Sequence, residues 1–375
     1  MILTQCAFCA ADLGLSLGKK CGRCSTRYCG AACQEQHWKD GGHDKLCKKI
    51  KKAGGAEQFN ANTKYAEAVA VATEACADDT KGQTCYICTQ ALHWKTKEGL
   101  VRGCSCRGTA GFAHVSCLAE QAKILVAEAE ENHLGDQAWD ERWARWHSCS
   151  LCEQGYHGVV ACALGCACWK TYLGRPEADA TRNFAMGQLG NGLTAAGHYE
   201  DALTVREANL STLRRLGEPE ERILVVQGNL AATYSVLGRD AALRMRQDVY
   251  SRTRRLLGEE HSDTLMAANN YAMTLLELQR FEEAKRVLRK VAPVARRVLG
   301  TEHELTLSLR EDLCRAILDG EPTANEKREA LEMLKDTAGA MRRVLGPDHP
   351  DTLHAEKVLK SNEEKYRELA GQLRA

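Results

Sequence analysis

Aromatic residues make up only 6% of the 375-residue chain, and there are six prolines. No stretch is both long and free of charge. The longest, around Tyr156–Trp169, is too short to cross a bilayer. The start, "MILTQCAFCAADLGLSLGKK", has no basic segment followed by an apolar one, so no secretory leader is expected. Charge of one sign is also missing: the net is +1 with His neutral, which argues against a nucleic-acid binder driven by bulk charge. Neither a phosphate loop nor a nucleophile elbow is present, so a kinase or conventional hydrolase is not expected.

What the chain has in excess is cysteine. All but one of its 19 lie at or before Cys168, and the exception is Cys314. Without a leader, the compartment is expected to be intracellular, cytoplasmic or nuclear, and reducing. Clustered Cys with His then points to metal rather than to disulfides.

The first cluster pairs Cys6 with Cys9, Cys21 with Cys24, Cys29 with Cys33, and His43 with Cys47. Eight ligands suffice for two tetrahedral zinc sites. A segment of this size buries too little core to fold without a staple. The run "CAFC…CGRCSTRYCGAACQEQHWKDGGHDKLC" resembles a MYND-type zinc finger, with Tyr28, Gln34 and Trp38 at matching places. The resemblance implies interleaved ligation, Cys6, Cys9, Cys29 and Cys33 on one ion and Cys21, Cys24, His43 and Cys47 on the other. Four residues separate Trp38 from His43 where two are usual, so His37 stands as an alternative ligand. His43-x3-Cys47 keeps the chelating step. Fingers of this kind are small platforms for short peptides or purely structural modules.

The second cluster pairs Cys85 with Cys88, Cys104 with Cys106, His114 with Cys117, and Cys149 with Cys152. Spacing alone leaves sequential and interleaved pairing open. The order of ligands, "CSCRGTAGFAHVSC" and "WHSCSLC" resemble the RING-CH variant of the RING finger. That likeness implies one zinc on Cys85, Cys88, His114 and Cys117 and another on Cys104, Cys106, Cys149 and Cys152. Ubiquitin ligases of this type hold a conjugating enzyme and act by positioning. Ile87 and Trp146 match the positions that touch it. Three departures weigh the other way. Glu153 stands where active ligases often present a cation, Ser150 replaces a frequent Pro, and the span from Cys117 to Cys149 is long. That span reads as helical, with Leu118, Ala122, Leu125 and Ala129 on one stripe and Trp139, Trp143 and Trp146 on another. A Trp stripe at this spacing fits a core as well as a docking face.

Beyond the finger, His157, Cys162, Cys166 and Cys168 offer either a fifth metal site or apolar packing in a connector. Cys76 and Cys314 read as core. Between the clusters, the four lysines of "KKIKKAGGAEQFNANTK" read as a solvated helix end or as a nuclear import signal.

From about residue 179 a unit repeats. "RRLG", "RRLLG", "RRVLG" and "RRVLG" close at Gly217, Gly258, Gly300 and Gly346, steps of 41, 42 and 46 residues. "EEHSDTL", "TEHELTL" and "PDHPDTL" follow the last three. Helix, turn and helix closed by a glycine, at a period above 40, indicate an α-solenoid. The phrases resemble tetratricopeptide repeats of the kinesin light chain type. Twelve residues after the closing glycines come Asn229, Asn270 and Asp312. The first two resemble groove asparagines that hydrogen-bond an extended peptide, or they pack between helices. His261, His303 and His349 read as local hydrogen-bonders. The Arg pairs suit last helical turns and offer a basic ridge to an acidic peptide.

The expected fold class is therefore two small cross-braced zinc-finger modules, irregular α+β, followed by an all-α tetratricopeptide-type solenoid. The expected segments are a MYND-type finger at 1–47, a basic helical linker at 48–82 and a RING-CH-like finger at 83–157. A connector at 158–178 and repeats at 179–375 complete the chain. Four Zn²⁺ are expected per chain. Fourteen ligand thiolates with four such ions move the formal charge to about −5. The expected partners are proteins or peptides, including a ubiquitin-conjugating enzyme on the ligase alternative, and neither membrane nor nucleic acid. The adaptor and the ligase are both open at this point.

Overall fold

The computed structural model describes residues 4–14, 17–238 and 241–372. The chain divides into two compact units, Met1–Glu218 and Pro219–Ala375.

In the first unit, a two-stranded antiparallel ribbon, β1 (Lys19–Lys20) and β2 (Arg27–Tyr28), precedes α1 (Ala31–Lys39) and α2 (His43–Lys52). Next comes α3 (Ala56–Ala75), then a long loop, α4 (Val115–Glu131), α5 (Asp136–Trp143) and a 3₁₀ turn over Ala144–Trp146. Three more helices follow, α6 (Gly158–Tyr172), α7 (Ala180–Ala195) and α8 (Tyr199–Leu216). The second unit pairs α9 (Glu220–Val236) with α10 (Ala241–Leu257), α11 (Ser262–Glu277) with α12 (Phe281–Leu299), and α13 (Glu304–Leu318) with α14 (Ala324–Val344). It ends in α15 (Pro350–Gln372).

The uncharged run from residue 156 becomes α6, which is apolar on every side, as expected of a helix buried all round. It lies between α3 and α7. The segment read as a linker thus contributes α3 to the core, through Ala61, Val69 and Ala72. Helices α6 and α7 touch backbone to backbone, because both faces carry glycine. A Cβ on Gly192 would lie 2.6 Å from the Ala161 carbonyl oxygen, and one on Gly165 2.9 Å from that of Gln188.

Helix α4 buries Leu118, Ala122, Val126 and Ala129. Val126 takes the third buried place, and Leu125 beside it is half-buried.

In the second unit the repeat chemistry is visible residue by residue. The nitrogen Nδ1 of His261, His303 and His349 accepts the backbone N–H two residues on, at 3.2, 3.2 and 3.3 Å, at the start of α11, α13 and α15. The Arg pairs are partly neutralised. Arg297 meets Glu260 at 2.6 Å and Arg343 meets Glu302 at 3.5 Å, each Glu lying just after the preceding closing glycine. Such exposed pairs contribute ~1 kcal/mol or less each.

Candidate metal centres and partner surfaces

Both clusters begin with a turn whose geometry recurs four times. In each, the carbonyl of the first Cys accepts the N–H of the residue four on: Ala10 to Cys6 at 3.0 Å, Ser25 to Cys21 at 2.9 Å, Thr89 to Cys85 at 2.8 Å and Glu153 to Cys149 at 2.9 Å. Those four donors sit in the left-handed region, with φ of 58°, 61°, 61° and 58°. This conformation, strained for a side chain bearing a Cβ, turns the chain so that two thiols and the intervening N–H groups face one point. The N–H of Ile87 points at Cys85 Sγ (3.4 Å), and that of Leu151 at Cys149 Sγ (3.4 Å).

Four groups of donors result: Cys6, Cys9, Cys29 and Cys33; Cys21, Cys24, His43 and Cys47; Cys85, Cys88, His114 and Cys117; and Cys104, Cys106, Cys149 and Cys152. Within each, the ligand atoms all lie within 4.8 Å of one another. Both clusters are interleaved, the question spacing left open. The sulfur separations test the fit. Cys9–Cys29 is 3.6 Å, Cys21–Cys47 3.9 Å and Cys106–Cys149 3.7 Å. A disulfide needs about 2.05 Å, whereas a zinc–sulfur bond of about 2.3 Å gives a tetrahedral edge of roughly 3.8 Å. The donor sets fit a tetrahedral thiophilic divalent ion.

Histidine choice follows from the same geometry. His43 is fully buried with Nε2 3.4 Å from Cys24 Sγ. His37 instead has Nδ1 3.0 Å from the Tyr28 hydroxyl and joins no cluster among the described residues. His114 directs Nδ1 at Cys88 Sγ (3.3 Å) while its Nε2 lies 3.3 Å from the Ala91 carbonyl, which fixes the tautomer with an acceptor behind the ligand. Burial lowers the pKa of both His43 and His114, favouring the neutral imidazole that metals bind.

Crowded thiols share protons unequally. A hydrogen bond from Cys104 holds Cys149 well below the usual thiol range, and the same bond raises Cys104. In the first cluster the hydrogen bond with Cys29 pushes Cys33 up to about 12. A divalent cation replaces those shared protons with a single counter-charge.

One turn of this kind carries no thiols. The His93 carbonyl accepts the N–H of Lys97 at 2.9 Å and the His93 N–H donates to the Glu98 carbonyl at 3.0 Å, with Lys97 at φ 59°. His93 Nδ1 and Thr96 Oγ1, 2.8 Å apart, occupy the positions the sulfurs hold elsewhere. A hydrogen bond closes this turn where the other four offer ligands.

The partner-facing expectations divide. Ile87 is 37% exposed at the tip of its turn. Trp146, expected beside it as a contact, is fully buried: its ring meets Tyr172 edge-on at 5.8 Å and Trp143 at 6.4 Å. The Trp stripe faces inward because α6 and α7 bring apolar surface to it. The residue that shares Ile87's setting is Leu151, 51% exposed on the matching turn. The two turns are tied by Tyr86 Oη and Ser150 Oγ, 3.1 Å apart. The signal was present in the parallel between "CYIC" and "CSLC". Glu153 is exposed beside Leu151.

Cys162, Cys166 and Cys168 are buried in α6, and with His157 they form none of the metal groups found among the described residues. Cys314 is also fully buried.

In the second unit, Asn229 and Asn270 line one cavity. Asp312, at the same repeat position, is 3% exposed and paired with Arg315 at 3.0 Å. Burial, then the neighbouring Glu311 charge, pushes its pKa up to about 7. A carboxyl raised in the folded state holds its proton better there than in the unfolded chain. Stability therefore falls as pH rises from about 4 to about 7. Asp312→Asn is expected to leave protection of α13 nearly unchanged near pH 4 and to raise it by on the order of 1–2 kcal/mol at pH 8. Hydrogen exchange at both pH values checks this; an equal effect at the two would contradict it.

Family models match four stretches: the MYND finger at residues 6–47, the RING-variant domain at 85–132, and tetratricopeptide repeats at 222–296 and 323–351. The chain thus combines two zinc-finger types with tetratricopeptide repeats, a class of protein built for protein–protein interaction. The RING-variant match stops before Cys149 and Cys152, which the fold brings to Cys104 and Cys106. Similar solved structures include the nearly identical TPR-like repeats of a putative kinesin light chain from Podosopora anserina. They are 18% identical, with a TM-score of 0.37, covering 61% of this chain and 97% of that one; a point-substituted form of the same repeats gives 0.38 at the same identity and coverage. Another is BtubC (BKLC) from P. vanneervenii, 14% identical with a TM-score of 0.34, covering 68% and 92%. No curated protein matches the chain. Among the described residues, no helix is long and apolar enough to cross a membrane.

Proposed function

We propose that the chain is a zinc-dependent adaptor. Its two cross-braced fingers and a peptide-binding groove along the repeats would bring protein partners together without a reaction of its own. The observation that carries this is the set of four preformed groups of four donors in one unit, together with a second unit whose cavity is lined by Asn229 and Asn270. Zinc would be held by Cys6, Cys9, Cys29 and Cys33, by Cys21, Cys24, His43 and Cys47, by Cys85, Cys88, His114 and Cys117, and by Cys104, Cys106, Cys149 and Cys152. It would supply folding energy, since each site has four protein ligands and no open position.

A second reading, a RING-type ubiquitin ligase with the repeats as substrate receptor, is favoured by one observation. Ile87 and Leu151 stand exposed on two turns joined by the Tyr86–Ser150 hydrogen bond. Autoubiquitination with a panel of conjugating enzymes separates the two. An adaptor yields no ubiquitin chains with any enzyme, and Ile87→Ala changes nothing. Chains formed by the wild type and reduced tenfold or more by Ile87→Ala would replace the adaptor with a ligase.

A further inference from the structure

Twelve residues before each closing glycine, the four repeats carry Val205, Arg246, Leu288 and Leu334. All four are buried. Three fill this position with hydrocarbon and one with a guanidinium. Arg246 is 6% exposed, and its Nε and Nη1 are buried with no hydrogen-bond partner among the described residues. Burial lowers its pKa to about 10, opposed by the charge of Glu277, a carboxylate already engaged by the Ser235 hydroxyl. A buried cation without an acceptor is strongly unfavourable, and leucine at the same place in two other repeats shows that the fold has no need of it. The free energy is recovered if a ligand brings the acceptor.

Arg246 lines the cavity that Asn229 and Asn270 also line, a space of about 110 Å³. That volume admits a carboxylate on a short stem. Leu224, Val249 and Ala267 form the apolar wall, while the exposed carboxylates Glu221 and Asp263 stand at the rim. An acidic rim disfavours a run of acids and favours one acid flanked by neutral or basic residues.

We propose that this cavity takes the carboxylate of a single Asp or Glu side chain of a bound partner peptide. Its oxygens would accept from the Arg246 guanidinium, and the rim selects against further acids. The proposal rests on the groove reading above and adds the chemistry of one subsite to it.

Random peptides displayed on phage are selected on the full-length, zinc-loaded wild type and on Arg246→Leu, the residue that two sister repeats carry. The wild type is expected to enrich one acidic position flanked by Lys, Arg or neutral residues. Arg246→Leu is expected to lose that acidic preference while melting at the same temperature or higher. Replacing the selected Glu by Gln in the peptide should weaken binding to the wild type about tenfold and leave binding to Arg246→Leu unchanged. An acidic preference that survives in Arg246→Leu, or a Glu→Gln change without effect on the wild type, overturns the proposal.

The double variant Asn229→Ala/Asn270→Ala tests the groove itself, since it should lose peptides whatever their charge. If the wild type selects no peptide, the groove reading fails and the Arg246 subsite is tested alone. The Nε–Hε resonance of Arg246 is followed in acetate, in phosphate and in chloride at equal ionic strength. A shift specific to acetate supports the carboxylate subsite. No shift, or a larger one in phosphate, overturns it.

Discussion

Trp146→Ala is expected to destabilise the first unit by about 3–5 kcal/mol, the range for removing a fully buried tryptophan. The ring has no exposed surface, it packs on Trp143 and Tyr172, and its backbone carbonyl accepts from Gln188 at 3.4 Å. Truncation leaves a cavity between the 3₁₀ turn and α6, with rigid aromatic walls that cannot close it. Trp146→Phe should cost less than half as much. Denaturant unfolding of the first unit, followed by tryptophan fluorescence, checks the size of the loss. Ile87→Ala provides the opposite control: a partly exposed side chain on a turn should cost ~0.5 kcal/mol or less. If Trp146→Ala left the midpoint unmoved while Ile87→Ala lowered it, the inward placement of the Trp stripe would be wrong.

Removal of the metal is expected to have the other large effect. The buried apolar set of the first finger comprises Leu13, Tyr28, Ile50 and Ala56 together with four cysteines, Cys6, Cys21, Cys24 and Cys47. Half of that set is ligand, so little hydrophobic core remains once the ion leaves. Structural zinc contributes on the order of 10–16 kcal/mol per site in small peptides. A strong chelator should therefore unfold residues 6–47 outright. It should also loosen 85–152, where Cys85 and Cys117 share a cluster with Phe112, Leu164 and Val69. The second unit holds no such donor group among its described residues, and α9–α15 should keep their exchange protection. Hydrogen exchange with mass spectrometry, before and after chelation, resolves the three regions. Uniform protection throughout would mean that the fingers fold without metal.

These two expectations also mark what could be read from the sequence. Ligand identity was legible because chelating pairs at short steps have few other uses, and the repeat was legible because its glycines and histidines recur at nearly constant intervals. Pairing between ligand pairs was not legible from spacing, since it depends on how β1, β2 and the turns fold back on one another. The inward face of Trp146 was hidden for a related reason. Helical spacing places Trp139, Trp143 and Trp146 on one side, but which side meets α6 is a tertiary fact. Arg246 lies in an ordinary helical pattern. Only alignment to Val205, Leu288 and Leu334, together with its burial, distinguishes it from a surface arginine.

Four interleaved metal sites are expected to hold the first unit together. Native mass spectrometry of the full chain, purified without chelator, tests it most directly. The expected mass exceeds that of the bare polypeptide by four zinc ions replacing ligand protons. Cys106→Ser and Cys33→Ser should each lower the count by one without releasing the other three. A wild-type chain that carries two ions or none, folded, would contradict it.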